Sequence, residues 1–134
     1  MTGHSRLSRS PLNELDPAVL MEVLTRWEHP CEAMFEYLAE HHPSQLLALL
    51  RSPRLSPADL TFAAEIAGRI PSSAAVREAL LPLLDHPKAV VREGAVYGLG
   101  KHLDDPVRQR LARLAEDDQS AAVRCAAAET ILSA

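Results

Sequence analysis

The stretch Ser73–Leu103, SAAVREALLPLLDHPKAVVREGAVYGLGKHL, decides the fold. Its apolar residues recur at helical spacing, first at Val76, Leu80, Leu83 and Leu84 and then at Val91, Ala95, Gly98 and Leu99. Two amphipathic helices follow from that spacing. Asp85, His86 and Pro87 form the turn between them, because proline lacks the N–H a helix interior needs. Pro82 predicts a kink in the first helix. A degraded copy comes next: Val91, Arg92, Ala95 and Leu99 align with Val123, Arg124, Ala127 and Ile131 at a period of 32 residues. Periods of this length belong to stacked helical repeats.

Outward from this pair, each boundary carries matching turn chemistry. Residues 1–15 lack periodicity and read as a mobile tail. Asp16 and Pro17 read as an N-cap and a first-position proline, and Val19, Leu20, Val23, Leu24 and Trp27 share one helical face. His29 and Pro30 interrupt that helix. Cys31, Met34, Phe35 and Leu38 restart it, with Glu32, Glu36 and Glu40 along the flank. Pro43 and Ser44 open a short helix of Leu46, Leu47, Leu49 and Leu50. Ser56, Pro57 and Asp59 then supply a cap, a first-turn proline and an acid for the row Leu60, Ala63, Ile66, Ala67 and Ile70. Asp105 and Pro106 read the same way ahead of Val107, Leu111 and Leu114. The expected organisation is one domain over 16–134, divided into an N-terminal helical cap (16–42), a divergent repeat (43–71), a central repeat (72–103) and a C-terminal repeat (104–134).

Composition excludes several function classes. Apolar residues make up 47% of the chain but aromatics only 4%, which suits closely stacked helices better than a β-sandwich. The net charge of −4 argues against a general affinity for phosphate backbones. Residues 11–42 concentrate the acidity, with seven acidic groups against Arg26 alone. No run of 18 apolar residues exists to span a membrane, and the first fifteen residues lack the apolar centre of a secretory signal, so a cytoplasmic protein is the simplest reading. Cys31 and Cys125 read as buried or half-buried thiols rather than a disulfide framework. The six histidines show no metal-ligand spacing, and no phosphate loop or nucleophile elbow occurs. No cofactor is expected.

The Val-Arg pair, the Ala three residues after the arginine and the Leu or Ile four later resemble the second helix of a HEAT repeat. Leu83, Leu84, Asp85, His86 and Pro87 resemble the end of that repeat's first helix and its turn. The resemblance implies an all-α, right-handed α-solenoid of about three helical hairpins behind the N-terminal cap. It implies that Arg92 and Arg124, with Asp85, Asp117 and Asp118, bridge turns of neighbouring repeats as structural braces. The central repeat departs from the pattern with His86 at the aspartate position, and the first repeat lacks the pair altogether, with Leu60 or Thr61 where the later copies have arginine.

HEAT-like proteins hold partners on the concave row of second helices. With Val91, Ala95 and Leu99 inward, Glu93, Val96, Tyr97 and Gly100 fall outward, and Cys125, Ala128, Glu129 and Leu132 are their equivalents. The candidate contacts with another protein are therefore Glu93, Tyr97 and Glu129, with Glu32, Glu36 and Glu40 as an acidic flank suited to a basic target. A non-enzymatic adaptor, inhibitor or immunity-type binder is the expected function. The alternatives are a bilin-lyase-like accessory subunit and a HEAT-like nucleic-acid binder or DNA glycosylase, the latter opposed by the charge.

Overall fold

The computed structural model describes residues 32–53 and 55–134. The expected tail, the helix after Asp16 and Pro17, the break at His29 and Pro30, and Cys31 lie outside the described residues. Those that are described build helices α1 (Glu32–His41), α2 (Pro43–Leu49), α3 (Pro57–Ala67), α4 (Ser73–Leu80), a 3₁₀ turn η1 (Leu81–Asp85), α5 (Ala89–Leu99), α6 (Asp105–Asp117) and α7 (Ala121–Leu132), with no strand among them.

Local chemistry sets the boundaries. Ser56 Oγ accepts the Asp59 N–H at 3.1 Å, and Pro57 opens α3. At Pro82 the helix does not merely kink: α4 stops at Leu80 and the chain tightens into η1. Pro82 has no N–H to offer the Glu78 carbonyl, so the α-pattern cannot continue. The cap of α6 falls one residue earlier than expected. Asp104 accepts the Val107 N–H at 2.9 Å, which moves Pro106 to the second helical position.

Helices α3, α5 and α7 lie side by side in one row, and α1 packs on α2 and α3. The core lies beneath this row, where Phe35, Leu38, Leu49, Leu80, Leu84, Val91, Leu99 and Leu111 are fully enclosed. Val96, expected outward, is completely buried. A helix in the middle of a row has neighbours on both flanks as well as a core side, so only one strip of it reaches solvent. Gly94 and Gly98 face α3, and Val96 lies on the opposite flank, towards α7.

The approach of α5 to α3 is a backbone contact. A Cβ added to Gly98 would overlap the Ala64 carbonyl oxygen and sit 2.7 Å from Leu80 Cδ1. One added to Gly94 would lie 2.9 Å from Thr61 Cγ2. A clamp locks the end of this contact. His102 Nε2 donates to the Gly68 carbonyl at 2.7 Å, leaving Nδ1 to accept the Ser73 hydroxyl at 2.8 Å. Arg77 holds the same corner, donating to the His102 carbonyl at 3.1 Å and pairing with Asp104 at 3.1 Å.

Gly98→Ala should therefore lower stability by about 1–3 kcal/mol, read as a shift in the urea midpoint. Gly100→Ala should cost less, since its Cβ would meet nothing closer than 3.3 Å. Equal midpoints for the two variants would mean that α3 and α5 do not touch through their backbones.

Candidate protein-binding face

The predicted braces come first, because they position the face. Arg92, in the first turn of α5, donates through Nη1 to the His86 carbonyl at 2.8 Å. Its Nε and Nη2 reach the two carboxylate oxygens of Asp118 at 2.9 and 3.0 Å. The two side chains are only 14% and 5% exposed, so this bidentate fork works largely out of water. Burial pushes the Asp118 carboxyl up. The Arg92 hydrogen bonds, the Ser120 N–H and the charges of Arg92 and Arg124 outweigh burial and hold it below the usual carboxylate range.

Arg124 donates through Nη1 to the Asp118 carbonyl at 2.6 Å, the same contact one period later. Asp85 takes a different partner, Arg110, at 2.9 Å. Asp117 is exposed and forms no ion pair among the described residues. The fork thus joins the arginine of one hairpin to the aspartate of the next. The missing arginine at Leu60 and the missing aspartate at His86 are then a single omission, seen from its two sides.

The strip of the row that reaches solvent carries the other candidates. Tyr97 is 45% exposed, Glu93 is half-buried one turn before it, and Glu129 is exposed on α7. Glu32 stands at the start of α1. Two further residues belong here that the sequence reading missed. Glu65, on α3, lies 32 positions before Tyr97, and Phe62, one turn earlier, is 47% exposed. Extending the repeat register backwards from Tyr97 and Glu129 is the signal that finds Glu65.

These groups sense one another. Burial raises the Glu65 carboxyl, and Glu93 and Glu32 raise it further. Burial also raises the Tyr97 phenol, followed by Glu93, Glu129, Glu65 and Cys125. Glu32, Glu65, Glu93 and Glu129 form no ion pair among the described residues. The expected row Glu32, Glu36 and Glu40 divides: Glu36 pairs with Arg69 at 2.7 Å, and Glu40 lies 3.9 Å from His41 Nε2. Beside Tyr97 is a shallow hollow of about 180 Å³, walled by Glu65, Arg69 and Lys101 and floored by Gly68 and Gly98. Cys125 is exposed, as its place in the outward row implies and not the buried or half-buried thiol expected from its residue type, because it occupies the solvent strip of α7.

A family model described as HEAT repeats matches residues 43–131. The chain belongs to the HEAT-repeat family. No curated protein and no solved structure matches it. HEAT repeats commonly mediate protein–protein interaction, and no helix among the described residues is long and apolar enough to cross a membrane.

In this HEAT array the Asp118 carboxyl is depressed in the folded state, so its stabilisation is full above the unfolded carboxylate pKa. It is lost as pH falls through the folded value. Asp118→Asn should cost about 3 kcal/mol at pH 7 by stranding Arg92. The gap between the urea midpoints of wild type and variant should close as pH falls through the carboxylate range. A gap that stays constant would show that the pair does not act through its charges.

Proposed function

We propose that this chain is a non-enzymatic protein-binding module, an adaptor or inhibitor-type binder of the cytoplasm. It holds a basic segment of its partner against the solvent strip of α1, α3, α5 and α7. The observation that carries the reading is Tyr97, an exposed ring with Glu93 one turn away and the charges of Glu65 and Glu129 acting on it. Tyrosine supplies contact area at little entropy cost, and central aromatics are the usual anchors of an interface. Like charges placed together raise the free energy of the free protein. A cationic partner relieves that repulsion, and a phosphate backbone increases it. Charge therefore favours a protein ligand over the nucleic-acid alternative.

The test is kinetic. The stoichiometric protein that co-purifies from native cells, identified by mass spectrometry, serves as the ligand in surface-binding measurements. Tyr97→Ala should weaken binding by at least about 1 kcal/mol, mainly through faster dissociation. Glu65→Gln with Glu93→Gln should slow association while leaving dissociation nearly unchanged, and the loss should shrink as salt rises. The same double variant should melt higher than wild type, because it removes the mutual repulsion. Wild-type kinetics for both variants would place the partner on another surface.

A further inference from the structure

We propose that the corner between α1 and α2 is a proton-driven latch, in which His42 takes up a proton, turns its ring out to water and frees α1 from the row. His42 is only 5% exposed, and neither Nδ1 nor Nε2 has a hydrogen-bond partner among the described residues. It occupies the N-cap of α2, where a side chain ordinarily accepts an N–H of the first turn, yet the ring makes no such bond. His102 is buried to the same degree and has both ring nitrogens bonded. Buried polar groups are nearly always satisfied in that way, so packing alone holds the bare His42 ring out of water. Its nearest rings are those of Tyr37, with centroids 5.7 Å apart, and His41, at 6.5 Å.

An imidazolium at this position would bury two unmet N–H donors and a full charge. No counter-charge is at hand. α2 carries no charged residue, and Glu40 turns instead to His41 at 3.9 Å. The charged groups of the other helices packed on α2, Asp59, Glu65 and Arg69 on α3 and Arg77 and Glu78 on α4, form no pair with the ring. Burial, and after it the charge of His41, hold the ring below the usual histidine value. The closed corner therefore binds a proton less readily than the open one. Its stability is full above the open value and drains away as pH falls below about 6.5. The backbone couples the ring to both helices. The His42 N–H donates to the Leu38 carbonyl at 2.7 Å, and its own carbonyl accepts the Gln45 and Leu46 N–H groups at 3.0 and 3.2 Å. Turning the ring outward breaks the end of α1 and the start of α2 together, and Glu32 leaves the solvent strip with α1. The latch is a property of the fold and does not depend on what the strip binds.

Amide hydrogen exchange of the full chain, followed by NMR and corrected for the intrinsic effect of pH, reads the opening. Between pH 7.5 and 5.5 the opening of α1, read at Phe35 and Leu38, should rise severalfold, up to about tenfold for a ring of ordinary affinity in the open corner. At pH 5.5 these amides should be at least about tenfold less protected than Val96 and Leu99 on α5, because α1 opens without the rest of the fold. The His42 ring resonances should titrate below the usual histidine value. His42→Phe keeps a ring beside Tyr37 and should abolish the rise at α1. The proposal is overturned by a rise that persists in this variant, by equal protection of α1 and α5 at pH 5.5, or by a His42 ring that titrates at the ordinary value. Should the variant fail to fold, the ring titration and the two exchange profiles of the wild type decide the matter by themselves.

Discussion

The spacing of α3 and α5 rests on the absence of three side chains, at Gly68, Gly94 and Gly98. Where Gly94 and Gly98 pass Thr61 and Ala64, main chain meets main chain, and no residue with a Cβ fits that separation. Several features follow from it. The Gly68 carbonyl comes within reach of His102, the hollow beside Tyr97 acquires its floor, and Glu65 is brought close enough to Glu93 for their charges to interact. A chain so poor in aromatic residues gains cohesion from close approach rather than from large side chains. Tight packing of small groups recovers dispersion energy that a looser array would forfeit.

The fold was legible because a repeat states its pattern more than once. The alignment of Arg92 with Arg124 identified the period, and the same period later explained Leu60 and His86. Boundaries marked by Ser56, Pro57 and Pro43 were readable because capping and proline chemistry is local. Facing was harder. Val96 looks like an outward residue on any isolated amphipathic helix, and only the presence of a neighbour on each flank buries it. Cys125 is the converse: helical phase set it among the outward equivalents, where it is exposed, and only the usual burial of a thiol pointed the other way.

The solvent strip that carries the candidates was legible in part. Tyr97 and Glu129 could be placed by helical phase, and Glu65 needed only the same register carried back one repeat. The pairing of Glu36 with Arg69 could not be read, because two charges 33 residues apart show no periodic relation until α1 and α3 are packed. The Ser73, His102 and Gly68 clamp was invisible for the same reason. Its partners are a hydroxyl, an imidazole and a carbonyl drawn from three turns, and only one of them is conspicuous in a sequence.

That clamp and the Arg92 fork stand at opposite ends of the same helices. His102 ties the trailing end of α5 to the turn after α3, while Arg92 ties its leading end to the turn before α7. A row joined at one end only would fan like the leaves of a book, with curvature free to follow whatever touched it. Packing holds the rest of each seam. The Gly94 and Gly98 backbone contact runs along α3 and α5, and buried Val96 and Leu99 lie along the flank towards α7, so neither seam is joined at one end only. The surface bearing Tyr97 therefore behaves as a stiff plate, whose shape is set before contact and whose adaptation is confined to side-chain rotamers. On the proposed binding function, recognition on such a plate would lose little backbone entropy and would discriminate against partners that require the row to bend.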